Sequence, residues 1–442
     1  MSTDDRKWAE RKVGFAKLWA RAKQVLTTDP TGSDEDDHVV DEEAARALAA
    51  QAGRLKGGLA KVAQLAAYDP GASLGRGRGA SQNARTVLGG LWDKAPSVSA
   101  GAIASVIEQD LGKPPHALFA AWEASPLASA SLGQVHAAKL HDGTDVVVKV
   151  QYPGVADALR ADLDDGSFVR KLAGAEIGRS LEDEALVALG EAVRGELDYQ
   201  AEAANQMKFA KAWDGDKAIR IPRVIEELSS AHVLTMTRAK GKTVVDVASG
   251  GAPDARAQAA AAIYKFAWGS PLAHGLLNAD PNPGNFLVEE EADGHVLVHC
   301  LDFGCALAIP DEVRDRDLAV WWGLLDDDSE SAAERFRMAL GRSGLLRRTD
   351  SLATIAHREW ERALAAPLVT HGNFHWNAAY AGDFAETTGR VLAAGGMHLP
   401  ARLLLLWRQR LGVAAVIGML DASAPFRRVL LDLIGRGKRT LR

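Results

Sequence analysis

The stretch NADPNPGNFLVEEEADGHVLVHCLDFGC, residues 278–305, decides how the rest of the chain is read. Its ends are polar and its middle is rich in β-formers. FLVEE and HVLVHCL flank Asp293-Gly294, the pattern of a β-hairpin. Before the hairpin, Asp280 and Asn285 stand five positions apart in a loop stiffened by Pro281 and Pro283. After it, Asp302 ends the second β-rich run and is followed by Phe303 and Gly304. Two carboxylates and an amide at the two ends of one hairpin are hard oxygen donors, suited to a small divalent cation.

Phosphoryl transfer from a nucleotide needs a carboxylate near the attacking group and oxygen ligands that hold magnesium on the phosphates. Protein kinases draw these from an Asp, an Asn five residues on, and the Asp of an Asp-Phe-Gly triplet. The same three stand here in the same order, with a hairpin between them. A lone Asp-Phe-Gly is common by chance; the joint spacing is specific. Asp280 is therefore the candidate catalytic carboxylate. Asn285 and Asp302 are the candidate magnesium ligands, and ATP or ADP with Mg2+ are the implied cofactors.

Upstream, QVHAAKL (134–140) and DVVVKVQY (145–152) flank a second Asp-Gly turn at Asp142-Gly143. Lys149 alternates with Val148 and Val150, which face the opposite side of the pleat. Taken alone, it reads as a snorkelling edge residue. Beside the downstream motif it matches the lysine that pairs with nucleotide phosphates and a helix glutamate. The segment ahead of the first strand holds Ala128, Ser129, Ala130 and Ser131 where a kinase places its glycine-rich phosphate loop, so these are candidate nucleotide-binding residues.

Leu186, Leu189, Val193, Leu197 and Ala201 recur as the apolar stripe of a helix. If that helix is regular, Glu196 falls near the stripe and is the better partner for Lys149. Glu202 falls on the far side, sharing a face with Asp198, and the choice between the two glutamates stays open. IPRVIEEL (221–228) and HVLTMT (232–237) read as further strands, and the chain beyond Gly241 as mostly helical with tryptophan core anchors.

The composition narrows the classes. A net charge of -6 and a pI near 6.1 argue against holding nucleic acid by bulk charge. Two cysteines, Cys300 and Cys305, suggest neither a disulfide framework nor a zinc site, and read as small core residues in a reducing compartment. The first residues, MSTDDRKWAE, lack the apolar core of a signal peptide. The most apolar run, Leu403 to Leu420, is interrupted by Arg408, Gln409 and Arg410 and reads as a buried helix. His371 and His375 lack a glutamate in metalloprotease spacing and read as loop polarity. The basic end, Arg436 to Arg442, reads as a solvated tail.

Together, PLASASLGQVHAAKL, VVVKVQYPGV, GELDYQAEAAN, NADPNPGN and LDFG resemble the motifs of the AarF/UbiB family, an atypical branch of the protein-kinase-like fold. The family's N-terminal lysine-x-glycine-glutamine signature is matched by Lys61 and Gln64, with Ala63 in the glycine position. The resemblance implies an α+β, bilobal protein-kinase-like fold: a helical N-terminal extension over 1–120, a small β-rich N-lobe over 121–240, and a large C-lobe over 241–442 with a helical C-terminal part. It also implies that the Lys61 helix folds over the cleft, so that Lys61 and Gln64, with Asp198 and Glu202, gate access. Asn278 and Asn282 stand where many relatives have histidines, and Thr237 where they usually have a glutamate.

The function this implies is a Mg-dependent atypical kinase or ATPase, linked to an isoprenoid or quinone-type lipid pathway. The alternatives are a nucleotide-binding pseudokinase with a regulatory or chaperone-like role, and a protein kinase acting in trans. The expected partners are nucleotide and an isoprenoid or quinone-like lipid, without nucleic acid. The expected setting is cytoplasmic, with at most peripheral membrane contact. Whether the chain forms a homodimer is left open.

Overall fold

Both Asp-Gly turns form, and by the same local chemistry. Gly143 has φ +87° and Gly294 φ +82°, conformations that glycine adopts without a Cβ penalty. In each turn the aspartate accepts from the N–H two residues on: Thr144 N to Asp142 Oδ1 at 2.8 Å, and His295 N to Asp293 Oδ1 at 3.0 Å. The computed structural model describes residues 99–129, 132–154, 191, 194–325, 330–345, 355–393 and 401–437. The chain divides into two units, one spanning 1–174 with 225–236 and the other 175–224 with 237–442.

The described part of the first unit starts at helix α1 (Ala100–Leu111), capped by Ser99, whose side chain accepts from Ala102 N, and closed by Gly112 at φ 74°. Ile103 and Ile107, one turn apart, are fully buried. A short helix α2 (Pro115–Leu118) leads into a five-stranded sheet. Strands β1 (Ala121–Trp122), β3 (Gly133–Lys139), β4 (Asp145–Gln151) and β6 (Val233–Thr237) lie in that order, with β2 (Ala128–Ser129) paired to β3. Asp110 ties α1 to the entry of β6, accepting from the Ser230 hydroxyl at 2.6 Å and facing His232 Nδ1 at 3.0 Å. His136 is buried, stacks on Trp122 at 4.8 Å and meets the Glu123 carbonyl at 3.0 Å; burial lowers its pKa.

IPRVIEEL is not a strand. Val224 makes an isolated bridge and Glu226–Leu228 forms a 3₁₀ turn. Ser229 stabilises that turn, donating to Ile225 O at 2.8 Å and accepting from Thr235 N at 3.0 Å. A side-chain hydroxyl competing for backbone groups outweighs the β-propensity of the valine and isoleucine.

The second unit is mostly helical. Its described helices include α3 (Tyr199–Ala212), α4 (Val244–Gly250) and the central α5 (Pro253–His274). A four-stranded sheet has the order β5 (Ile219–Arg220), β10 (Val296–Cys300), β9 (Phe286–Glu290), β7 (Lys242–Thr243); β9 and β10 are the expected hairpin. Strands β8 (Leu276–Asn278) and β11 (Ala306–Ala308) form a separate pair. The remaining elements are α6 (Asp311–Leu325), α7 (Glu330–Arg342), α8 (Ile355–Val369), β12 (Phe374–Trp376), α9 (Ala378–Ala393), α10 (Ala401–Leu420), β13 (Ala422–Ala424) and α11 (Phe426–Gly437).

Trp268, Trp321, Trp360, Trp376 and Trp407 are all buried in this unit's core. Helix α10 contains the apolar stretch Leu403–Leu420, of which 78% is buried within the protein. Of the groups interrupting it, Gln409 and Arg410 are internal and Arg408 is half-buried. Arg410 is 1% exposed and pairs with Asp317, its Nη1 donating to Oδ1 at 2.9 Å. Its guanidinium lies 4.7 Å from the Trp321 ring centre, and Trp321 Nε1 donates to Asp317 Oδ1 at 3.2 Å. His375, read as loop polarity, instead sits on β12 opposite Ser423, with Nε2 3.2 Å from Asp421 Oδ1.

Candidate active site

Pairing of β8 with β11 sets Asn278 opposite Ala306, so the loops leaving these strands run side by side. Two backbone bonds join them: Ala279 N donates to Cys305 O at 3.1 Å, and Leu301 N to Asn285 O at 3.0 Å. Asp280, Asn285 and Asp302 are thereby brought to one place, as their spacing predicts. Asn285 Nδ2 donates to Asp280 Oδ2 at 3.0 Å and to the Asp280 carbonyl at 3.3 Å. That commits the amide nitrogen and makes Oδ1 the end suited to a cation. Asp280 is 8% exposed. Asp302 Oδ1 accepts from Gly304 N at 3.0 Å.

Asn278 couples the two loops. Its Nδ2 donates to the Asp302 carbonyl at 2.6 Å, and its Oδ1 accepts from Asp280 N at 3.3 Å. Asn282 Oδ1 accepts from Gly284 N at 2.9 Å and tightens the turn ahead of Asn285. Both asparagines appear in the sequence only as replacements for histidine. The bridging role of Asn278 depends on the β8–β11 pairing, which no local pattern announces.

Glu196 belongs to the same cluster but not to a helix. Residues 196–198 form a turn, and Asp198 caps α3 by accepting from Gln200 N at 2.9 Å and Ala201 N at 3.2 Å. The regular helix through Ala201 is therefore wrong, and Asp198 does not share a helical face with Glu202. An aspartate strongly preferred at an N-cap, placed after Gly195, restarts the helix against the apolar periodicity. Glu202 lies in the first turn of α3 and is 1% exposed.

Glu196 is 8% exposed, and Cys305 Sγ donates to its Oε1 at 2.7 Å. A β-carbon on Gly304 would lie 3.2 Å from Glu196 Cγ and 3.4 Å from Asp302 Oδ1. One on Gly195 would lie 3.2 Å from the Gly304 carbonyl. The two glycines let the Glu196 turn pack onto the Asp302 loop. The sequence reads Cys305 only as a core residue; its position directly after Gly304 is the one local hint of its contact. Cys300 behaves as a core residue, its thiol pKa raised by burial.

Lys149 lies on β4 in the first unit, opposite Val135, between Val148 and Val150, which are fully buried. Ala128 and Ser129 pair with Val135 and Gln134, so the proposed phosphate loop begins as an arm of a hairpin. Ala130, Ser131, Lys61 and Gln64 lie outside the described residues, as does most of the 1–120 extension.

Among the described residues no three His, Cys, Asp or Glu side chains gather to hold a metal by themselves. Asp302 and Asn285 nevertheless fit magnesium. That ion takes one or two protein oxygens and completes its shell from phosphates and water.

Residues 90–336 match the family described as ABC1 atypical kinase-like domain, and the chain belongs to that family. A rat protein named Atypical kinase COQ8B, mitochondrial, is 31% identical over 286 residues, 65% of this chain and 52% of that protein. The chain thus spans about half the length of that relative. An uncharacterized protein of Mycobacterium tuberculosis, Rv0647c, is 30% identical over 368 residues, 81% of this chain and 71% of its own. Among solved structures, the Rv3197–erythromycin complex from Mycobacterium tuberculosis matches with a TM-score of 0.60 at 25% identity, covering 91% of this chain and 98% of that one. The fold is therefore α+β and protein-kinase-like.

Proposed function

We propose that this chain uses a magnesium-bound nucleotide as an atypical kinase or ATPase. The observation that carries the reading is the hydrogen-bonded cluster of Asp280, Asn285 and Asp302, joined by Asn278. Asp302 and the Asn285 amide oxygen are the magnesium ligands, and magnesium when bound neutralises charge on the phosphates. Asp280 sits at the metal-ligand amide and is placed to orient and deprotonate an attacking hydroxyl or water. The Asn285 amide holds that carboxylate in one rotamer. Lys149 supplies the positive charge for the phosphates, with either Glu196 or Glu202 as its counter-charge. The loop at Ala128–Ser131 contributes backbone N–H groups. The Lys61 and Gln64 helix gates the site, and the acceptor belongs to an isoprenoid or quinone-type lipid pathway; both rest on family resemblance.

Thermal unfolding with Mg-ATP and Mg-ADP tests the reading. Nucleotide at 100 times its dissociation constant adds about 2.7 kcal/mol to stability. Asp302→Asn is expected to remove the magnesium-dependent part of that shift. Absence of any magnesium-dependent shift in the wild type would overturn the proposal. A shift without phosphate release, with a quinone-like lipid or erythromycin added, would leave a nucleotide-binding pseudokinase. Transfer of labelled phosphate to added protein would point to a protein kinase.

A further inference from the structure

We infer that Gly412 of α10 is a positioning residue for the catalytic loop, setting the place of Pro281 and, through it, of Asp280. The inference rests on the phosphoryl-transfer reading above and adds a part of the molecule that no motif marks. Gly412 lies directly against the Pro281 ring. A β-carbon at 412 would stand 2.6 Å from Pro281 Cβ and closer still to Cγ. Non-bonded carbons prefer about 3.5–4.0 Å. Pro281 is buried, and its ring cannot rotate away as a flexible side chain does. A methyl group at 412 must therefore move either the helix or the loop by roughly 1 Å.

The helix is the partner that stays. Arg410 ties α10 to α6 through the buried Asp317 pair. Gln409 ties it to α5, donating from Nε2 to the Ala267 carbonyl at 2.8 Å. That carbonyl is orphaned by sequence: its helical partner would be the N–H of residue 271, and Pro271 has none. Gln409 thus repairs α5 just ahead of β8 and the loop it feeds. Gln409 and Gly412 are three residues apart and share one face of α10. One helix face therefore both mends the approach to the catalytic loop and abuts the loop itself.

Pro281 directly follows Asp280, so the displaced loop carries the catalytic carboxylate with it. A misplacement near 1 Å costs about 10²-fold in rate. The intrinsic effect of alanine for glycine in a helix interior has the opposite sign, since alanine favours the helix, so any loss comes from the contact.

The experiment compares wild type, Gly412→Ala, Pro281→Gly and the double variant by Mg-ATP hydrolysis, Mg-ADP affinity, and amide exchange over residues 278–285 without nucleotide. Gly412→Ala is expected to lower kcat about 100-fold while Mg-ADP affinity stays within about threefold, and to speed exchange in the loop. In the Pro281→Gly background, with no ring to strike, the same change is expected to cost less than about threefold. An unchanged kcat, or an equal loss in both backgrounds, overturns the inference. If Gly412→Ala alone fails to fold, folding of the double variant supports the contact and its failure overturns it. If wild type hydrolyses nothing, the phosphoryl-transfer reading fails separately. The positioning inference is then judged by exchange, and unaltered protection of the loop overturns it.

Discussion

Lys149 in the first unit and Asp280 in the second are placed by different means. The pleat of β4 sets Lys149 between two fully buried valines and opposite Val135, so the backbone ladder fixes its place on the strand. Asp280, Asn285 and Asp302 sit in loops, positioned by side-chain and backbone bonds to one another and to Asn278. A strand keeps its geometry when one side chain changes, because the ladder is made of backbone groups. A polar loop loses partners for buried groups when any member is removed. In the first unit, then, the backbone under a site residue survives its substitution; in the second, the backbone and the site side chains hold one another.

Three substitutions test that contrast, in falling order of their effect on stability. Arg410→Met leaves Asp317 buried without its partner and should cost about 3–5 kcal/mol in urea unfolding. A cost below about 1 kcal/mol would mean that water reaches Asp317 and that the second unit is less tightly coupled than described. Asn278→Ala removes its side-chain bonds to the Asp302 carbonyl and the Asp280 N–H, leaves the backbone bonds between the loops, and should cost about 1–3 kcal/mol, with faster amide exchange at Asp280. Unchanged exchange there would break the claim that Asn278 couples the loops. Lys149→Met keeps most of the aliphatic stem and should cost less than about 1.5 kcal/mol, while lowering Mg-nucleotide turnover by about 10²-fold or more. Lys149 is only half-buried, so water can reach a counter-charge it leaves behind; if Lys149→Met destabilises as much as Arg410→Met, that counter-charge is as closed to water as Asp317 and the contrast fails.

Much of this arrangement is legible without coordinates, for a local reason. Each Asp-Gly turn and its flanking strands lie within one short stretch, Gly133–Gln151 or Phe286–Cys300, so both hairpins follow from composition and order. The spacing of Asp280, Asn285 and Asp302 survives translation into space because one hairpin separates them and its ends return to the same place. The polar residues of Leu403–Leu420 interrupt its apolar run, and the expected buried helix is present with Gln409 and Arg410 inside it. The stripe through Leu197 and Ala201 misleads, since periodicity says nothing about where a helix restarts; the capping bonds of Asp198 decide that. IPRVIEEL misleads in the same way, with Ser229 making the turn.

The order and kinds of residue by themselves determined the two hairpins and the identity of the magnesium and base candidates, because those depend on short-range geometry; the fold class followed from the family resemblance that those motifs carry. Tertiary structure alone decided that Asn278 bridges the loops, that Cys305 holds Glu196, that Gln409 satisfies the carbonyl Pro271 leaves bare, and that Gly412 admits the Pro281 ring. Each of those contacts joins residues from different elements, and a buried polar atom or a packed ring finds its partner only once the elements have docked.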